Sequence, residues 1–193
     1  RGCHSGDPAE GAKLVDAWRE WRAPAMDMFG PMPFTEAATI SNDPEDPMPG
    51  MTGSRWLTSL DSHVIEALLE AMTGDETGPS PFIFIEIRHA GGAISRHVEG
   101  ASYSSRGADR LLEAVAPVMS PEAPARIQAG LARLWERLGP NLAEGAYLNF
   151  LEGEDRKAST RDAFDADTLA RLGEVKRTFD PANRFSHGID LNA

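Results

Sequence analysis

The sequence predicts an α+β fold, in which an antiparallel sheet has helices packed on one of its faces. Four stretches place apolar residues three and four positions apart, the period of a helix with one buried side. Residues 82–88 are aromatic and β-branched and end in alternating charges, as in a strand, and Gly91 and Gly92 then permit a tight reversal. After the first helix the predicted order is β-α-β-β-β-α-β-α, which indicates a mixed α+β domain.

Four helices follow from the positions of apolar residues and from their caps. The first covers residues 8–22, with Asp7 as N-cap and Pro8 at the first helical position, where a missing N–H costs nothing. The last covers residues 165–179 and ends before Pro181, which has no N–H to donate. The other two predicted helices cover residues 61–72 and 121–138.

The predicted strands differ in the strength of their patterns. The clearest is at 82–88, where Glu86 and Arg88 fall on one face and isoleucines on the other. Residues 41–54 contain three prolines and two glycines and predict a loop. The remaining predicted strands cover residues 55–58, 93–98, 101–105, 107–119 and 146–152. The pattern of 107–119 is also compatible with a helix.

Composition and charge exclude several classes of function. The chain has 193 residues, of which 19 are Lys or Arg and 30 are Asp or Glu, so its net charge is −11 and disfavours nucleic acid as a partner. No apolar run is long enough to span a membrane, and Cys3 has no second cysteine to pair with. These features predict a cytoplasmic protein. Because the first residue is Arg1 and not methionine, we expect a longer gene product.

The residues that could carry chemistry are few. No histidine or cysteine has a partner at metal-ligand spacing, and no nucleophile elbow or glycine-rich phosphate loop occurs, so no metal site is predicted. Glu86 and Arg88 either line a pocket or belong to a solvated sheet face. In the predicted strand 146–152, Tyr147 and Asn149 share one side, and Asn149 is either a sheet-edge residue or a ligand contact.

The end of the chain resembles a known family. The stretch "AYLNFLE", followed about twenty residues later by "LARLGEVKRTFDPANRFSHGIDL", is similar to the C-terminal signature of the berberine bridge enzyme-like FAD-linked oxidases. More weakly, "IEIRHAGGAISR" and "EGASYSSR" resemble the glycine-pair hairpin and the following segment of the same family. The signature residues matched here are Tyr147, Asn149, Phe150, Arg171, Leu172, Val175, Lys176, Phe179, Asp180, Pro181, Asn183 and Phe185.

The resemblance implies part of a two-domain flavoprotein oxidase. Residues 1–142 would be the C-terminal part of its substrate-binding domain, and residues 143–193 a segment that docks on an N-terminal FAD-binding domain of the same polypeptide. The implied activity is FAD-dependent oxidation of an alcohol, an amine or an activated C–H bond of a small-molecule substrate, by hydride transfer to the flavin. The chain alone is expected to be inactive, because it contains no flavin-binding loop.

Each site residue of the family is compared with the matching position of this sequence. The resemblance implies that Tyr147 and Asn149 contact the cofactor, and that Tyr147 is the first candidate for catalytic base, ahead of Glu86 and Glu113. Phe150 stands where several members have a tyrosine base, and Ser105 stands in place of a histidine. A glutamate of the plant members aligns with Leu112, next to Glu113. The predicted substrate-binding residues are Glu86, Arg88 and Arg106.

Two other classes of function stay open at this point. The chain could be a free-standing module that binds small molecules, with its pocket between the 82–97 hairpin and the 146–150 strand. It could also be a structural α+β homodimer, in which the exposed sheet face pairs with a second copy. Solution mass distinguishes the homodimer from a monomer.

Overall fold

The computed structural model describes residues 2–41, 46–74, 76, 78–96, 98–152, 156 and 159–187. The chain divides into two compact units, Arg1–Pro47 and Met48–Ala193. None of the described helices is both long and apolar enough to cross a membrane. The predicted boundary between residues 142 and 143 stays a prediction.

The smaller unit contains helix α1 (Pro8–Trp21) and a 3-10 turn, Phe34–Ile40. α1 begins as the sequence predicts, because the side chain of Asp7 accepts a backbone hydrogen bond in the first turn. Trp18 and Trp21 pack edge to face with ring centroids 6.1 Å apart. No residue of α1 is buried, so its apolar side is exposed.

The larger unit is built on a three-stranded antiparallel sheet in the order β1-β3-β2. Strand β1 covers Gly50–Leu57, β2 covers Phe84–His89 and β3 covers Arg110–Pro117. The central strand, β3, pairs along its length with both neighbours. The predicted fold class is therefore confirmed, and residues 107–119, whose pattern was ambiguous, contain the central strand.

Two helices cover one face of this sheet, as predicted. Helix α2 (Ser62–Thr73) has Asp61 as its N-cap and ends at Gly74, which adopts a φ of +84° that favours glycine. Helix α3 (Ala123–Leu138) packs beside α2 on the same face. The apolar core between helices and sheet contains Leu57, Val64, Ala67, Phe82, Leu112, Ala114, Ala116, Ile127, Leu131, Leu134 and Leu138.

The last helix, α4 (Ala166–Phe179), ends at Asp180 as the sequence predicts. The carboxylate of Asp180 then organises the following turn, because it accepts the backbone N–H groups of Arg184 at 2.7 Å and Phe185 at 3.1 Å. Lys176 forms an ion pair with the same carboxylate and donates to the Phe185 carbonyl at 2.9 Å. The side chains of Phe179 and Phe185 are 81% and 83% exposed.

Three predictions about strands were wrong. β1 begins at Gly50, well before residue 55, because Pro49 is the last proline of the loop and alternate residues from Met51 onward can face the core. Residues 92–95 form turns, where the Ser95 hydroxyl donates to the Gly92 carbonyl, and the described part of 93–98 forms no strand. Residues 101–105 also form no strand, and β2 pairs with β3 instead of with a strand that follows Gly91 and Gly92.

The predicted strand at 146–152 is also wrong, because Leu148–Phe150 forms a 3-10 turn. Gly145, with a φ of +95°, bends the chain just before this turn. A strand would place Tyr147 and Asn149 on one side, whereas the period of three in a 3-10 turn brings Tyr147 and Phe150 to the same side. We call residues 142–152 the crossing segment, because they run antiparallel beside the outer edge of β1 from a bridge between Leu142 and Leu57.

Candidate functional site

The candidate site lies on the sheet face opposite to helices α2 and α3, which we call the site face. Strand pairing fixes its residues, because directly paired residues of antiparallel strands point to the same side. Ser54 pairs with Glu113, and Glu113 pairs in turn with Glu86, so these three form one row across the sheet. The site face consists of Thr52, Ser54 and Trp56 on β1, Leu111, Glu113 and Val115 on β3, and Phe84, Glu86 and Arg88 on β2.

An aromatic cluster covers one end of the site face. The ring of Tyr147 meets those of Trp56, Tyr103 and Phe150 edge to face, with centroids 6.4, 6.2 and 5.0 Å apart. The crossing segment is held there by hydrogen bonds to β1, including one from the Thr52 N–H to Oε2 of Glu152 at 3.4 Å. The Ala143 N–H donates to the Trp56 carbonyl at 2.8 Å, and the hydroxyl of Thr52 donates to the carbonyl of Phe150 at 3.4 Å.

Arg88 connects the aromatic cluster to the carboxylates of the site face. Its guanidinium lies 4.4 Å from the centroid of the Phe150 ring, in the geometry of a cation–π contact. Its Nε donates to Glu86, and its Nη2 lies 3.7 Å from Oε2 of Glu113. One cation thus lies between an aromatic ring and two carboxylates from neighbouring strands.

Glu113 is the most buried carboxylate of this group, with 8% of its surface exposed. Burial raises the pKa of its carboxyl, Arg88 opposes that shift, and Glu86 and Glu152 reinforce it. Leu112, the position that aligns with the plant glutamate, is fully buried on the helix-covered face. The neighbour Glu113, and not Leu112, therefore presents its side chain to the site face.

Two polar atoms beside Glu113 are buried without a hydrogen-bond partner among the described residues. They are Oγ of Ser54 and Nε1 of Trp56, whose residues are 3% and 1% exposed. A buried donor without a partner carries an energetic cost, so such atoms are uncommon in folded proteins. Ser54 lies directly opposite Glu113, and the site face thus holds polar groups with unused hydrogen-bonding capacity.

Asn149 is exposed at the rim of the aromatic cluster. Its Nδ2 donates to the hydroxyl of Tyr147 at 3.1 Å, so these two predicted cofactor contacts lie side by side. Both belong to the turn of the crossing segment and not to a strand. A side-chain amide both donates and accepts, which allows Asn149 to bind a second polar group at the rim.

Arg106 reaches the cluster through Tyr103. Its guanidinium lies 4.7 Å from the Tyr103 ring centroid, and its Nε donates to the Tyr103 carbonyl at 3.1 Å. Burial raises the pKa of the Tyr103 phenol, Tyr147 adds to this shift, and Arg106 opposes it. Ser105, at the position of the family's histidine, donates to the carbonyl of Ala146 at 3.3 Å and so joins this loop to the crossing segment.

The structure therefore brings the residues singled out from the sequence into one connected group. Arg106 contacts Tyr103, and from there the group continues through Tyr147 and Phe150 to Arg88. Sequence reasoning missed Ser54, Trp56 and Tyr103. The sequence of β1 carries no clear alternation of polar and apolar residues that could have revealed the first two.

The donor set of the rim fits the ring system of a flavin. The amide of Asn149 can match an edge that carries both carbonyl and N–H groups, and the rings of Tyr147 and Phe150 offer apolar surface for a flat heterocycle. For the phosphates of FAD the sequence offers no G-x-G-x-x-G motif, which binds the pyrophosphate of dinucleotides. The residues of this chain thus suit the ring of FAD and not its pyrophosphate.

The fold of this chain is similar to that of several solved structures. A variant of BBE-like 1 from Physcomitrella patens has a TM-score of 0.58 and 20% identity, over 75% of this chain and 30% of that one. A glycopeptide hexose oxidase in complex with teicoplanin has a TM-score of 0.57 and 19% identity, over 73% of this chain and 32% of that one. A variant of berberine bridge enzyme has a TM-score of 0.55 and 19% identity, over 69% and 31%.

These similarities confirm the resemblance to the berberine bridge enzyme-like proteins at the level of the fold. The chain spans 30 to 32% of the length of the three structures, so it corresponds to a part of each. No protein-family model matches the chain, and no curated protein matches it in sequence.

Proposed function

We propose that this chain is the C-terminal substrate-domain portion of an FAD-dependent oxidoreductase, and that its site face receives a small-molecule substrate. The observation that carries the proposal is the single connected group of Arg88, Glu113 and Tyr147 on the sheet face opposite to α2 and α3. Two proteins with similar structures, a glycopeptide hexose oxidase and berberine bridge enzyme, support an oxidoreductase. The cytoplasmic location stays a prediction.

In this proposal the residues of the chain divide three tasks. Asn149 and Tyr147 contact the flavin ring at the rim of the aromatic cluster, and FAD, when bound, accepts the hydride. Glu86, Arg88 and Arg106 hold and orient the substrate. Tyr147 or a glutamate of the site face accepts the proton that an alcohol or amine loses on oxidation.

The proposed partner is the N-terminal FAD-binding domain of the same polypeptide. The C-terminal turn supports this part of the proposal, because Asp180 holds the chain in a fixed geometry while Phe185 is left exposed. Val175 and Phe179 on α4 are exposed as well, so the apolar surface continues from the helix into the turn. Large apolar groups exposed together favour association with another surface.

Flavin binding tests directly whether FAD is bound by the N-terminal domain and not by this chain alone. We expect the 193-residue chain alone to leave the absorbance and fluorescence of added FAD unchanged. The gene product that also contains the sequence upstream of Arg1 should purify with FAD, and its flavin should lose absorbance on anaerobic mixing with an oxidisable alcohol or amine. Tight FAD binding by the 193-residue chain would show that the cofactor site lies within it.

Matched variants of the longer protein test the site. Asn149→Leu removes the amide at the rim and should weaken flavin binding. The control is Asn141→Leu, which changes an amide that donates to Ser59 and Asp61 and not to the aromatic cluster. Equal flavin content in both variants would contradict the role of Asn149. A longer protein without bound flavin would exclude the oxidoreductase itself.

Solution mass tests the two other classes of function. A homodimer of the 193-residue chain that Phe185→Ser converts to a monomer would show that the exposed turn serves self-association. Val98→Ser, at an exposed valine outside α4 and the C-terminal turn, is the matched control. Specific binding of a small molecule by the chain alone, without flavin, would favour a free-standing binding module.

A further inference from the structure

We propose that Arg88, held over the ring of Phe150, is the positioning residue that makes Glu113 the proton acceptor of the site. This inference rests on the proposed function for its chemistry. Its geometry is independent of any cofactor, because every contact involved lies within the described part of the chain. Phe150 thus has a task at a position where several family members have a tyrosine base.

Arg88 is held on three sides. The Phe150 ring lies 4.4 Å from the guanidinium carbon, Glu86 accepts a hydrogen bond from Nε, and Glu113 lies 3.7 Å from Nη2. A guanidinium is planar, so it can stack on a ring with one face and bind carboxylates with its edge. The ring and Glu86 together direct the remaining edge of Arg88 toward Glu113.

Glu113 needs this cation because its other charged neighbours are acidic. Glu86 faces it from β2 and Glu152 approaches it from the crossing segment, while Ser54 on β1 is neutral. Burial and two neighbouring carboxylates favour the protonated form of Glu113, which has no capacity to accept a further proton. Arg88 is the group that favours the ionised form.

The proton step can be written for the residues of this chain alone. An ionised Glu113 forms an O–H bond with the proton of a substrate hydroxyl or ammonium group as that group's O–H or N–H bond breaks. The carboxylate becomes a neutral acid, and its negative charge is lost from the site face. The two electrons leave with the hydrogen of the adjacent C–H bond to the flavin of the proposed function.

The experiment measures the protonation of Glu113 in the 193-residue chain by carbon-detected NMR of side-chain carboxyl groups across a pH titration. Arg88→Met removes the cation and should raise the pKa of Glu113 by about one unit, since an opposite charge at this distance shifts a pKa by roughly one to three units. Phe150→Leu keeps the cation but removes its platform, and should raise the pKa by about half as much.

The matched control is Arg55→Met. Arg55 also lies over an aromatic ring, 5.1 Å from the centroid of Trp135, but on the face covered by helices. Its removal should leave the pKa of Glu113 nearly unchanged, because Arg55 lies on the opposite face and is not among the charged groups that shift that pKa. Equal shifts in the Arg88 and Arg55 variants would overturn the proposal.

Arg88→Lys keeps the test decisive if Arg88→Met fails to fold. Lysine keeps the charge and loses the planar stacking. We therefore expect Arg88→Lys alone to raise the pKa of Glu113 less than the double variant Arg88→Lys with Phe150→Leu. An unchanged pKa in the folded Arg88→Met chain would overturn the inference and leave the proposed flavin chemistry intact. If only Arg88→Lys folds, a pKa of Glu113 equal to that in the double variant would overturn it. A failure of flavin binding would leave these NMR shifts unaffected.

Discussion

The two faces of the sheet come from the same three strands and have opposite characters. On the helix-covered face, Leu112 and its neighbours are fully enclosed by apolar side chains of α2 and α3. On the site face, Glu113 lies among charged and aromatic groups, and Arg88 is more than half exposed at its side chain. Adjacent residues of one strand therefore lie in an apolar core on one side and among charged and aromatic groups on the other.

The difference shows how strictly a pleated strand divides its residues. Because side chains alternate between faces, a shift of one position exchanges the enclosed set for the open set. Alignment with the family places Leu112 at the position of a glutamate, and only the strand register shows that Glu113 has the required direction. Substitutions at neighbouring positions can therefore test the comparison.

The largest effect is expected at the centre of the helix-covered face. Leu112→Ala should lower the free energy of unfolding by about 2–5 kcal/mol, because it deletes fully buried methyl groups and leaves a cavity. Urea unfolding followed by circular dichroism measures this. A loss below about 1 kcal/mol, the range of a surface substitution, would mean that this face is loosely packed.

A second substitution overfills the same face. A methyl group at Gly53 would lie 2.7 Å from Cδ2 of Leu131 and 3.2 Å from the Trp135 ring, so Gly53→Ala should cost about 1–3 kcal/mol. Gly50→Ala is the control, since its methyl group would meet only the Ala116 carbonyl at 3.5 Å. Equal stability of the two variants in urea would contradict close packing of β1 against α3.

On the site face, the sign of the effect depends on pH. Burial raises the pKa of Glu113 above its ordinary value of 4.5, so the folded chain binds this proton more tightly than the unfolded chain. The contribution of Glu113 to stability is therefore present below pH 4.5 and is lost as the pH rises through the folded pKa. We expect Glu113→Gln to gain stability relative to the parent chain between pH 4 and pH 8.

Thermal unfolding at several pH values measures that difference. The control is Glu66→Gln, a substitution on α2, which lies on the opposite side of the sheet. A difference between Glu113→Gln and the parent that is constant with pH would show that Glu113 titrates alike in the folded and unfolded chains.

The smallest effect is expected at Ser54. Its hydroxyl is buried without a partner among the described residues, so Ser54→Ala removes an unsatisfied group and should change the free energy of unfolding by no more than about 1 kcal/mol, in the stabilising direction. Urea unfolding measures Ser54→Ala and Gly53→Ala in parallel, and so compares two adjacent residues that face opposite sides of the sheet. A clear loss of stability would show that the hydroxyl has a partner, such as a bound water molecule.

The sequence predicts the helices and the edge strand β2 because their signals are local. Apolar spacing and caps such as Asp61 and Asp165 specify α2 and α4 within a few residues. The alternation in 82–88 also gives the correct faces, with Glu86 and Arg88 on one side. These features depend on neighbours in the chain, which a single sequence displays.

The crossing segment and β1 could not be predicted in the same way. The turn at Leu148–Phe150 depends on Gly145 and on the aromatic contacts of Tyr147, and these involve residues distant in sequence. β1 depends on pairing with β3, about 60 residues later, and the glycines within it resemble a loop. Likewise the contact between Arg88 and Glu113 follows from strand register, which composition does not encode.

The turn at the C-terminal end of α4 also bears on the free-energy cost of association. Ordering a side chain at an interface costs about 0.5–1.5 kcal/mol, and here Lys176 and Asp180 order the backbone around Phe185 within the chain itself. The hydrogen bond from Lys176 lowers the pKa of the Asp180 carboxyl below its ordinary value of 3.8, so the turn keeps its acceptor at any pH above that value and loses it only as the pH falls through the folded pKa. The backbone that carries Phe185 is therefore already held in position within the chain, so less ordering remains when another surface meets this residue.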